Sequence, residues 1–212
     1  MRVRRVRAGL FALRVRAQAA RARADIDLRV AGDVRIGRGV RVDLAARTSN
    51  ILHIGAGVRL DDGVTIRLRG GAVHLGPHVE VRRGTIFNVS GDVQVEGPAL
   101  LSWGVVIHCA ESVRMERWSV ATEYVTITDM AHFHTGPDRW LMDNVATRPV
   151  VVGHHAWIGP KATVTMGVTI GDHAMVGANS VVTDDVERAV LVAGAPARVI
   201  RPVGATEGDA SR

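Results

Sequence analysis

Residues 150–186 read VVVGHHAWIGPKATVTMGVTIGDHAMVGANSVVTDDV, and this stretch decides the fold. Aliphatic side chains recur at Val152, Ile158, Val164, Ile170, Val176 and Val182, a strict period of six. Glycine follows four of them directly, at Gly153, Gly159, Gly171 and Gly177. Small or β-branched residues stand two positions before each: Val150, Ala156, Ala162, Val168, Ala174 and Ser180. Six is neither the helical period of about 3.6 nor simple strand alternation, although residues two apart within a unit share a face. It is a short strand with one inward aliphatic, followed by a corner. Three such units make a triangular coil of about 18 residues. One coil cannot bury its inner face, but a stack of coils can.

The pattern runs backwards through the chain. Leu75, Val81, Phe87; Val95, Leu101, Ile107; and Met115, Ala121, Ile127 repeat at a period of 20, with two extra residues at one corner. Ile36, Val42, Thr48 and Ile54, Leu60, Ile66 carry it further back. The expected fold is therefore an all-β parallel β-helix of about seven triangular coils over 34–184. β-Branched enrichment opposes a helical solenoid. One coil is interrupted between Ile127 and Val152 by a loop insert at about 128–149, which holds Asp129, His132, His134, Trp140 and Asp143. A long loop on a rigid repeat scaffold usually carries function.

Charge separates the N-terminus from the body. Residues 1–24 hold eight arginines and no acid, whereas the other 188 residues hold 19 basic and 21 acidic side chains. A near-neutral body with 4% aromatics argues against nucleic-acid binding. Val3, Val6, Leu10, Leu13, Ala17 and Ala20 follow helical spacing. The expectation is a basic amphipathic helix over 1–24 that caps the open first coil with this stripe. An interfacial helix drawn to anionic lipid is the second reading. The six-residue apolar run 8–13 is short for a signal peptide and no run is long enough to span a membrane, so a cytoplasmic protein is expected, with peripheral contact through 1–24 at most. Residues 25–201 read as the β-helix domain and 202–212 as a flexible tail.

The stretch Arg148-Pro149-Val150-Val151-Val152-Gly153-His154-His155-Ala156-Trp157-Ile158-Gly159, with 167–186 and VAGAPARVIR at 192–201, resembles the hexapeptide-repeat acyltransferases. It is most similar to the maltose/galactoside-type O-acetyltransferase branch. The resemblance implies a left-handed coil, a homotrimer, and acetyl-CoA as acyl donor to a hydroxyl of a sugar or glycoconjugate. Such a transfer needs a base for the hydroxyl proton, stabilisation of the oxyanion and a grip on the cofactor. The family places its catalytic histidine at the insert, and Asp129-Met130-Ala131-His132 matches its Asp-x-x-His form. His132 is the expected base, His134 its alternative. Asp129, Asp143 or a backbone carbonyl would orient the ring, and Asp129 reads equally as a strand-end turn residue. Positions matching the family's cofactor groove are Trp157, Gly159, Ala178, Thr183, Arg198 and Arg201, with Lys161 a further candidate. Asp184 departs from the pattern, since relatives often carry lysine there. Asn88, Trp103 and Asp143 are the acceptor-side candidates.

Two other readings share the fold. A metal-dependent hydratase resembling the gamma-type carbonic anhydrases would need histidines five apart on consecutive corners, and positions 159 and 160 are glycine and proline. No metal is expected. A non-catalytic β-helix scaffold is the third reading. Cys109, the single cysteine, reads as a small buried residue rather than a nucleophile.

Overall fold

A two-to-four-residue strand gains little by itself; here each is hydrogen-bonded above and below by the same strand of the neighbouring coils. The computed structural model describes residues 8–134, 136 and 144–204. After helix Ala8–Ala22, the chain winds into three parallel sheets, the faces of a triangular tube, with seven, nine and seven strands. The first face starts with Asp25–Val30, the second with Arg35–Ile36 and the third with Arg41–Leu44. A hairpin of Val190–Gly194 and Ala197–Pro202 closes the second face at the C-terminal end.

The core is the stack of inward columns that the period picks out. From Leu75 through Ile127, and again from Val152 through Val182, each inward aliphatic is 3% exposed or less. The two extra residues of the 20-residue coils lengthen the strands flanking the third corner. They add one buried column, Leu68, Val89 and Cys109 on the third face, whereas Leu52, Val73, Val93 and Val113 on the first belong to a column that runs on into Val150 and Val168. The tube therefore has one wide corner before the insert and none after it.

Two expectations are corrected. Thr48 is not an inward residue: the first two coils are offset by 24, with Asp25 beside Ser49, and Thr48 sits at the third corner donating to the Ala45 carbonyl. The helix caps the first coil, as expected, but with a different stripe. Phe11, Val15 and Ala19 are buried against the coil, and Leu10 and Leu13 are 47% and 64% exposed. The two stripes lie on opposite sides of one helix. The phenylalanine joins the core cluster with Leu28, Ile36 and Val42 at the open end of the tube. Val3 and Val6 lie outside the described residues. The expected tail begins in the hairpin, and 205–212 lie outside the described residues.

Candidate functional site

The insert leaves the tube at its wide third corner, and this creates a hydrogen-bonding problem. One coil earlier, the amides of Ser90, Gly91 and Asp92 donate to carbonyls of Cys109 and Glu111 in the coil above. The equivalent amides of Ala110, Glu111 and Ser112 have no coil above at that corner, because the chain has turned into the insert. Asp129 supplies the missing acceptors. Its buried carboxylate accepts from Ala110 at 2.7 Å, Glu111 at 2.8 Å and Ser112 at 2.7 Å. Asp129 stands 20 residues after Cys109, in the column of Val89 and Cys109, where an aliphatic would otherwise sit. It is thus the turn residue of the two readings: both oxygens are committed to backbone amides.

Beyond the clamp, Met130–His132 pairs antiparallel with Val145–Thr147, His132 opposite Val145, and the Phe133 amide donates to the Asn144 carbonyl. His132 is partly buried. Its Nδ1 is shielded from solvent and has no hydrogen-bond partner among the described residues, and the same holds for Nδ2 of Asn144. Buried polar atoms are normally paired. His134 is exposed. Asp143 and Trp140 lie outside the described residues.

A polar column climbs the third face to the foot of this ribbon. Arg67 lies 3.7 Å from Asp43 and donates to Oδ1 of Asn88 at 3.1 Å. The Asn88 amide lies 3.4 Å from Nδ1 of His108, which accepts it. His108 is in register with Thr128, whose hydroxyl donates to the Met130 carbonyl. Asn88, read as an acceptor-side candidate, is therefore two coils below the ribbon. His108, read as ordinary coil polarity, belongs to the same column. The 20-residue period that sets 88, 108 and 128 in one line was the signal for it.

The cofactor candidates gather elsewhere. Trp157 is half-buried on the second face, beside Val120 and Met175. Gly159 follows it into the second corner, where a Cβ would meet the Val176 carbonyl oxygen at 2.6 Å and the Ala178 nitrogen at 2.8 Å. Only glycine lets those backbones stack so closely. In the earlier coils this corner turns through Gly63, Gly84 and Gly104; in the later ones through Tyr124, Lys161 and Asn179, all at positive φ. The corner thus acquires side chains as it approaches the C-terminal coils. Thr183 donates to Asp184 at 3.0 Å, and Asp184 lies 3.6 Å from Arg198. The acidic departure at 184 thus offsets the charge of Arg198, although both groups are largely exposed and the pairing is weak. Arg201 sits on the outer hairpin strand opposite Leu191.

Trp103 is 52% exposed at the second corner, with the Arg82 guanidinium 6.0 Å from its ring centre. With Tyr124, Arg35, Arg59 and Arg83 it lines an open groove of about 780 Å³. That groove lies at the second corner, whereas His132 lies at the third. Trp103 and Asn88 are not brought together, and among the described residues His132 and the cofactor candidates lie at different corners.

Burial raises the thiol of Cys109, with the Asp129 carboxylate adding to the effect, so the thiolate is suppressed. At the first corner Trp118, His155 and His173 stack one above the next, with ring centres 5.9 and 5.1 Å apart and His154 edge-on to His155 at 4.4 Å. Among the described residues, no three histidine, cysteine or acidic side chains converge as a metal-holding group. No described helix is long and apolar enough to cross a membrane.

Residues 149–184 match the family model described as bacterial transferase hexapeptide (six repeats). No curated protein matches the chain in sequence. Among solved structures it is similar to the polysialic acid O-acetyltransferase OatWY, at TM-score 0.65 and 17% identity over 89% of this chain and 93% of that one. It is similar to the polySia specific acetyltransferase NeuO, at TM-score 0.55 and 16% identity over 89% and 91%. A third is AntD, an N-acyltransferase from Bacillus cereus, in complex with dTDP and 3-hydroxybutyryl-CoA, at TM-score 0.53 and 17% identity over 85% and 82%. The hexapeptide repeat and the left-handed β-helix expected from the sequence are thereby established. The maltose/galactoside branch is not carried by these comparisons.

Proposed function

We propose that the chain is an acyltransferase that moves an acetyl group from acetyl-CoA to a hydroxyl of a sugar or glycoconjugate, with His132 as general base. The observation that carries this reading is the unpartnered, shielded Nδ1 of His132 on the ribbon that interrupts the hexapeptide stack. The resemblance to OatWY, NeuO and AntD supports the reaction class and the CoA donor.

In this reading one ring nitrogen of His132 takes the hydroxyl proton as the acceptor oxygen attacks the thioester carbonyl. The tetrahedral intermediate collapses with cleavage of the C–S bond, and His132 returns the proton to the departing thiolate. No covalent acyl-enzyme forms, in keeping with the suppressed thiol of Cys109. The other ring nitrogen needs an acceptor to fix the tautomer. Asp129 is committed to three amides. Asp143 of the insert or a backbone carbonyl is the remaining orienting group. His134 stays the alternative base. Asn88 and His108 line the approach for the acceptor, and Trp103 offers a ring face to a sugar.

The donor would lie along Trp157, Gly159, Lys161, Ala178 and Thr183, with Arg198 and Arg201 toward its phosphates. These positions and His132 occupy different corners of the triangular section, so the reading requires a second copy, and a homotrimer is the proposed assembly. An amine in place of the hydroxyl is the nearest variant, favoured by the resemblance to the N-acyltransferase AntD.

Thermal stability with and without acetyl-CoA tests the donor, in wild type and in Arg198→Ala/Arg201→Ala. A ligand that binds only the native state, at 100 times its dissociation constant, adds about 2.7 kcal/mol. The expected result is a clear shift in wild type, weakened in the double variant. No shift with acetyl-CoA, with zinc stabilising the protein instead, would overturn the reading in favour of the hydratase. No response to either would favour the scaffold.

A further inference from the structure

The N-terminal helix is apolar on two opposite sides. Phe11, Val15 and Ala19 are consumed in capping the first coil, with Ala8 and Ala12 packed beside them. Leu10, Leu13, Ala17 and Ala20 recur three to four residues apart on the side turned away from the tube, all exposed, with Leu13 at 64%. At about 100° per residue the two stripes stand roughly half a turn apart. Exposed arginines flank the outer stripe along both edges, Arg14 and Arg21 on one and Arg16 on the other. The helix carries no acid, and by sequence Arg2, Arg4, Arg5 and Arg7 precede it with Val3 and Val6 continuing the outer spacing.

A capping helix needs one apolar face; the second has no partner among the described residues. We infer that the outer face of helix Ala8–Ala22 docks on an anionic lipid surface, Leu10 and Leu13 entering the headgroup–acyl boundary and the flanking arginines meeting lipid phosphates. Charge selects the occupant. Two copies joined through this stripe would bring arginine rows against arginine rows, whereas an anionic bilayer matches both the leucines and the arginines. Arginine stems extend along the apolar stripe and lift their heads to the interface, as such an arrangement requires. The helix sits across the end of the tube, so docking would hold the β-helix end-on to the bilayer with its faces open. The inference rests on the helix alone and does not depend on acyl transfer.

Co-sedimentation of the full chain with vesicles tests it. Vesicles of phosphatidylcholine with about one third phosphatidylglycerol are compared with pure phosphatidylcholine, at low and at physiological salt. The expected result is binding to the anionic vesicles at least tenfold tighter than to the neutral ones, weakening with salt. Leu10→Ser/Leu13→Ser should lose at least tenfold in binding with an unchanged melting temperature, because both side chains are already exposed. Arg14→Gln should lose about fivefold, the worth of one arginine near a charged surface. Equal binding to both vesicle types, or none to the anionic ones, would overturn the inference. So would a leucine double variant that binds vesicles normally but changes oligomer size, which would assign the stripe to a second copy.

Discussion

The coils before the insert and the coils after it are built on the same six-residue unit, yet they differ at one corner. After the insert, successive coils are offset by 18, as Trp157 beside Met175 and Thr163 beside Val181 show. In the coils directly before it the offset is 20, as in Ala72, Asp92 and Ser112. The later coils are minimal triangles, with small residues such as Ala156, Ala162 and Ala174 in their tight interiors. The earlier coils are wider at the third corner and fill it with Leu68, Val89 and Cys109. The insert emerges where wide gives way to narrow. Val113 still pairs with Val150, Val120 with Trp157 and Thr126 with Thr163 across it, so all three faces run on unbroken while the third corner opens. A solenoid can therefore host a long insert without loss of its ladder, provided one residue replaces the acceptors removed with the corner.

The largest expected effect comes from breaking that replacement. Asp129→Ala leaves three amides unpaired at a buried corner, at about 1–3 kcal/mol for each unsatisfied group. The expected loss is on the order of 4 kcal/mol, read from denaturant melts. The matching change in the narrow coils is Asp185→Ala. Asp185 is exposed and accepts one amide, that of Thr169 at 2.7 Å, so the expected loss is about 1 kcal/mol. Equal losses at the two sites would contradict the clamp account.

The smallest effect belongs to the first corner of the narrow coils. Partial desolvation, then the neighbouring His154 and His173, hold His155 below the usual histidine value of 6.5. The unfolded chain thus takes up this proton first as the pH falls. Stability is fully present above pH 6.5 and declines below it. His155→Asn should flatten this dependence, because asparagine tolerates the positive φ of 55° and carries no charge. Melting temperatures between pH 5 and 8 measure it; an unchanged slope would contradict the assignment.

Much of the fold was legible because a period of six has one physical solution for inward aliphatics and small corners. The insert was legible as an interruption of that period. Other parts were not. The helix carries two competing stripes, and periodicity does not say which one meets the tube; the stripe that carries the aromatic Phe11 is the buried one. Thr48 fell in step by chance in a coil of 24. Asp129 reads identically as an orienting carboxylate and as a turn residue, because the loss of three carbonyl acceptors is visible only once the corner is built. His108 was readable from the 20-residue register but resembled the other corner histidines in type.

The acyltransferase account turns on His132, and release of the coenzyme A thiol from acetyl-CoA tests it most directly, with a panel of sugar and amino-sugar acceptors and equal amounts of wild type and His132→Ala. General-base catalysis contributes about 10²–10⁴-fold. The account predicts acceptor-dependent release by wild type and a loss of that size in the variant, with unchanged melting temperature. Undiminished release by His132→Ala would contradict it.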